Sequence, residues 1–142
     1  MQKMSAPQCL TISHWYAVVA RTLSNASTLP SLSQQNVDAL TKASDDVAIQ
    51  SSNLATKAVQ VEFADAGKAF RDVSDAASQA SEAANKLAND VTKINNLLEI
   101  AAKLIALSAA VLTGNYGNAL TDLVALVGKP SPGQGAQDPL GS

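Results

Sequence analysis

The sequence is short of the residues that most chemistry needs. It holds one cysteine and one histidine in 142 residues. A single thiol forms no internal disulfide and cannot supply a multi-cysteine metal site. Cys9 alone fits a reducing compartment. His14 is the sole imidazole, so a hydrolytic triad would have to use it. The Gly-x-Ser-x-Gly turn that presents a serine nucleophile does not occur. Cys9 and His14 stand five apart, which on a helix sends them to different faces. Neither Glu-x-x-His pairs nor an EF-hand loop is present. The expectation is a chain that is not an enzyme and uses no cofactor or metal.

Charge is also scarce, at 15% of residues against the usual quarter or so, with a formal net charge of −2. The Lys and Arg residues are scattered from Lys3 to Lys129. Their densest group, Lys86, Lys93 and Lys103, is interleaved with Asp90 and Glu99 and reads as a solvated face. Phosphate binding needs clustered cations, so nucleic acid is excluded as a partner. The acidic pairs Asp72/Asp75 and Glu62/Asp65 share helix faces and read as solvent-facing charge, partly paired with Lys68 and Arg71. Ile12 to Val19 is interrupted by His14 and follows no basic run, so no cleavable signal peptide is expected. That favours the cytoplasm, with export by a route that leaves the N-terminus uncleaved as the alternative. Without a signal peptide, the sequon Asn25-Ala26-Ser27 carries no weight.

What is abundant is helical periodicity. Ile12, Trp15, Tyr16, Val19 and Leu23 form an apolar stripe on a first helix, about Pro7 to Asn25, with Pro7 in its first turn. Trp15 and Tyr16 read as packing anchors whose polar ends reach the surface. Pro30 ends the connector that follows. Ser31 with Gln34 reads as a capping box for the next helix, and Ser33 is a rival cap. On that helix Leu40, Val47, Leu54 and Val61 recur every seven residues. Their companion row, Val37, Ser44, Ser51 and Ala58, is mostly small or polar and invites a close neighbour.

The strongest pattern follows. Phe63, Phe70, Ala77, Ala84, Val91, Leu98, Ile105 and Leu112 are spaced by seven, and so are Ala66, Val73, Ala80, Leu87, Ile94, Ala101 and Ser108. Only Ser108 among them is polar, so the heptad is well defined. No Gly or Pro lies between Gly67 and Gly114. One straight helix there would reach roughly 70 Å, against a radius of gyration of about 14–15 Å for a compact domain of this size. The pattern predicts either the spine of an elongated bundle or a break, at Ser74-Asp75 or at Asn95-Asn96, where Asn96 and Glu99 would pair as a cap. Residues 33–112 form either one long helix with a stutter or, preferred, a hairpin turning at Asp65-Ala66-Gly67 whose two stripes bury each other. Gly114 suits a left-handed helix end, and Asn118 suits the cap of a short last helix, Ala119 to Val127. Gly114-x-x-Gly117 lacks the lysine of a phosphate loop and reads as a turn.

The expected fold is therefore all-α: an elongated bundle of about four helices with a long antiparallel coiled-coil-like hairpin. Residues 1–130 would form one domain and 131–142 a disordered, Pro- and Gly-rich tail. The candidate association seam is Phe63, Phe70, Val73, Leu87, Val91, Ile94, Leu98, Ile105 and Leu112. The heptad rows around it also carry Ala66, Ala77, Ala80, Ala84 and Ala101, which bury little area each, so the seam needs more than one neighbour, from its own chain or from a second copy. The expected function is protein–protein association, with a homo-oligomer or a protein partner.

A membrane is the alternative partner. Leu104 to Thr113 carries no charge, and after the Gly/Asn turn the last helix carries only Asp122. Leu104, Leu107, Val111, Leu120, Leu123, Val124 and Val127 form a hydrophobic hairpin that would insert into a bilayer or dock on a partner once the bundle opens. Glu99 and Lys103 interrupt its first arm, which falls short of the twenty or so apolar residues of a span. In outline this arrangement resembles α-helical pore-forming toxins, with no shared motif.

Overall fold

The computed structural model describes residues 1–127. The expected tail, 131–142, lies outside the described residues. Two minimal strands and five helices are present among those described: β1 (Gln2–Lys3), α1 (Ala6–Ala26), α2 (Gln34–Thr56), β2 (Glu62–Phe63), α3 (Ala66–Leu87), α4 (Ile94–Leu112) and α5 (Gly117–Val127). The chain is an all-α helical bundle.

Local chemistry sets the helix boundaries. Ser5 caps α1 through a capping box with Gln8, and Pro7 occupies the first turn. The rival cap is the one used for α2: Ser33 accepts the Asn36 N–H at 3.2 Å, while Ser31 sits at φ 73° in the connector. Asp65 caps α3 by accepting the Lys68 N–H at 3.0 Å. The expected hairpin turn therefore falls earlier, across 57–65, and Gly67 belongs to the helix.

The long heptad run is broken neither at Ser74-Asp75 nor at Asn95-Asn96 but just before the latter pair. Asp90 accepts both the Thr92 N–H at 2.9 Å and the Thr92 hydroxyl at 2.6 Å. Such local side-chain bonds compete with the helical ladder. They convert Val91–Lys93 to one turn of 3-10 helix and hold the Asp90 carboxyl below the usual carboxylate range. Gly114 takes the left-handed conformation at φ 79°, as its position after α4 predicts.

The helices pack as a four-membered ring in the order α1, α2, α4, α3, with α5 laid against α3 and α4. Ser13 lies opposite Ser51 and Ser44 opposite Ala20, so α1 and α2 are antiparallel. β1 and β2 pair and directly precede α1 and α3, so those two helices start at the same end and, lying side by side, run parallel. The expectation that α2 and α3 bury each other is corrected here. They sit across the diagonal, and the 57–65 connection carries the chain from one side to the other. A two-residue antiparallel bridge, Gln2 to Phe63 and Lys3 to Glu62, ties the N-terminus to that crossing.

Bulk in the core comes from α1, α2 and α4, through Tyr16, Leu23, Leu40, Leu54, Leu97, Leu104 and Leu107, all fully buried. The buried face of α3 is almost all small: Ala66, Ala69, Val73, Ala76, Ala77, Ala80, Ser81 and Ala84. Small residues let α3 approach neighbours whose larger side chains fill the space between. The several neighbours that its alanines require are α1, α4 and α5 of the same chain.

Candidate functional site

The structure distributes the seam residues over three environments. Phe63, Val73 and Ile94 are fully buried in the bundle's own core. Phe70, Leu87, Leu98, Ile105 and Leu112 are half-buried and pack against that core from its rim. Val91 stands in the 3-10 turn and is 39% exposed. A helix in a ring turns a wide apolar stripe inward, so one heptad row drifts from core to rim along it.

The hairpin residues divide in the same way. Leu104, Leu107, Val111 and Leu123 are fully buried, Leu120 and Val127 are half-buried, and Val124 is 42% exposed. Val91–Leu112 is long and apolar enough to cross a membrane, with a mean hydropathy of 1.5 and 44% of its window buried in the bundle. A mostly buried core helix meets the same length and composition, so the reservation based on Glu99 and Lys103 stands untested.

The outward face of α4 carries a single charge, Glu99. Asn95, Glu99, Ala102, Ala106 and Ala109 are exposed and recur at helical spacing. Beyond Glu99 this face holds only alanines. Ile105 and Leu112 form one half-buried rim and Lys103 and Ala110 the other.

Two grooves open between helices. One, of about 390 Å³, lies among α3, α4 and α5, with Ala83, Leu87, Ile100, Leu126 and Val127 as its apolar walls and Glu82 and Lys86 at its edge. The other, of about 370 Å³, lies between α1 and α3 and is lined by Trp15, Val18, Thr22, Ser78, Ser81, Glu82 and Asn85.

Ionisable groups do not converge in either groove. Among the described residues no three His, Cys, Asp or Glu side chains are close enough to share a metal ion. His14 is exposed, with its ring 5.4 Å from that of Trp15 at 61°. Cys9 is buried, and desolvation pushes its thiol pKa up, which lowers its reactivity. Lys68 pairs with Asp72, as the spacing predicts, and Lys42 pairs with Asp46 at 2.7 Å. Both lysine pKa values are raised, first by the side-chain hydrogen bond to the aspartate.

The chain matches no protein-family model, no curated protein and no solved structure. Its functional interpretation therefore rests on its own residues.

Tyr16 departs from expectation. Its phenol does not reach the surface: the ring is 0% exposed and its hydroxyl donates to the Leu104 carbonyl at 2.7 Å. Trp15, its neighbour in sequence, is half-buried against the core and forms a wall of the α1–α3 groove. Periodicity places both residues on an inward-leaning face but does not reveal which one ends in a groove.

Proposed function

We propose that this chain is a non-catalytic association module that pairs with a second copy of itself through the outward face of α4. The supporting observation is the alanine strip Ala102, Ala106 and Ala109, exposed along two turns and flanked by Ile105 and Leu112 on one side and by Lys103 and Ala110 on the other. Alanines let two helix backbones approach closely. A two-fold contact sets the same surface against itself, and an uncharged surface does so without like-charge repulsion. The strip lies beside the heptad seam, whose Phe63, Val73 and Ile94 are already buried by the chain's own helices.

Sedimentation velocity tests the proposal. The wild type should sediment as a dimer at high micromolar concentration, and Ala106→Glu as a monomer with unchanged helical circular dichroism. A wild type that stays monomeric throughout that range removes the proposal.

A second reading is favoured by the length and hydropathy of Val91–Leu112. It has the bundle open on a bilayer and insert α4 and α5. Leakage of a dye from anionic vesicles would support it, and vesicles left intact at neutral and acidic pH would end it.

A further inference from the structure

The α1–α3 groove holds a buried hydroxyl with no partner. Among the described residues the buried polar side chains are Thr22, Ser51, Ser81 and Ser108. Three of them are satisfied. Thr22 donates to the Val18 carbonyl at 3.0 Å, Ser51 to the Ser13 carbonyl at 2.8 Å, and Ser108 to Gln50 Oε1 at 2.7 Å. Ser81 is only 6% exposed, and in its observed rotamer its hydroxyl makes no hydrogen bond to a described residue. Buried polar groups are nearly always paired, with protein, water or ligand, and Ser81 lines the groove.

The walls around it specify a ligand chemistry. Glu82 is the only charged residue in the lining, and it forms no ion pair among the described residues. No cation lines this groove; Lys86, one turn along α3, lines the neighbouring groove and forms no ion pair with Glu82. Trp15 supplies an aromatic surface, which attracts an organic cation within about 6 Å of its ring centre. Ser78 and Asn85 add oxygen acceptors at the rim. The groove is open to solvent along its length, with a volume of about 370 Å³.

We propose that this groove binds a small primary alkylammonium ion. Its N–H groups donate to the Ser81 hydroxyl and the Glu82 carboxylate, and its carbon stem lies along Trp15. Ser81 is then satisfied as an acceptor, and the ammonium offsets the lone carboxylate.

Trp15 is the chain's single tryptophan, so its fluorescence reports on this groove directly. Titration of the wild type with 1,4-diaminobutane at fixed ionic strength should give a saturable change in emission. Glu82→Gln and Ser81→Ala should each weaken the apparent affinity by about tenfold, the loss expected for one hydrogen bond to a charged group. Glu82 also borders the second groove, but Ser81 and Trp15 do not, so the Ser81→Ala arm assigns the response to this site. Glu82→Gln keeps the side-chain size and Ser81→Ala removes a single buried oxygen, and circular dichroism checks that both variants keep their helices. The proposal is overturned by an absence of saturation, by equal responses in wild type and both variants, by sodium chloride reproducing the change, or by glucose producing it equally well.

Discussion

The Tyr16 hydroxyl in α1 donates a 2.7 Å hydrogen bond to the backbone carbonyl of Leu104 in α4, across the diagonal of the bundle. Few direct contacts join these two helices. The phenol is thus a polar strut through an otherwise apolar centre, and its length and polarity select one spacing of α1 from α4.

Tyr16→Phe should keep the packing and lose the strut. The expected cost is about 1 kcal/mol in urea denaturation, against about 3–5 kcal/mol for a truncation to alanine. Desolvation holds the Tyr16 pKa far above its ordinary value in the folded state. A raised folded pKa contributes stability that is complete below the unfolded phenol value of about 10 and is lost as pH climbs above it. The wild type should therefore lose stability above that pH more steeply than Tyr16→Phe. Equal alkaline slopes would mean that the phenol ionises without opening the core.

Ser13 and Ser51 form a reciprocal clamp. Each hydroxyl lies 2.8 Å from the other residue's backbone carbonyl, and the two oxygens are 2.9 Å apart. This requires close approach of α1 and α2, which the small residues permit. Single alanine variants should each cost about 1 kcal/mol, and the double variant should show a coupling of at least about 0.5 kcal/mol in a mutant cycle. Ser51→Leu should cost more, about 1–3 kcal/mol, because it forces the helices apart. Strict additivity of the two alanine variants would show that the hydroxyls act independently.

Gly114 is required for two reasons. Its φ of 79° is costly for any residue with a Cβ. An added Cβ would also lie 3.3 Å from the Glu62 carbonyl oxygen and 3.4 Å from Val61 Cγ1. Gly114→Ala should destabilise by about 1–2 kcal/mol, measured as a lower midpoint in denaturant. Gly117 is the control, since a Cβ added there would meet nothing within 4 Å. Gly117→Ala should leave the midpoint unchanged or raise it slightly.

Leu107 and Ala106 are adjacent on α4, about 100° apart around its axis, one inside the bundle and one outside. Leu107 is 0% exposed and Ala106 is on the outer face. Leu107→Asp should unfold the bundle whatever the chain's function, because it buries an unpaired charge. Ala106→Asp should leave the melting curve close to wild type while removing self-association. If leakage of vesicles survives Ala106→Asp, insertion does not require the self-pairing face. If both variants melt as wild type, Leu107 does not face the core.

The helices themselves are legible from residue order. Period-3.6 apolar spacing, Ser and Asp caps, Pro30 and the Gly114 turn are interactions among residues a few positions apart, so they need no tertiary information. The Ser44 and Ser51 row likewise shows that some neighbour approaches α2 closely, without showing that it is α1. Which helices become neighbours was decided only by the tertiary structure. A heptad states that a face must be covered but not by what, and α2 and α3, expected to cover each other, are instead covered by α1, α4 and α5. The α1–α3 groove is hidden from sequence for the same reason. Trp15 and Ser81 are brought together by the packing of two parallel helices, and an unpaired hydroxyl is defined only by everything that surrounds it.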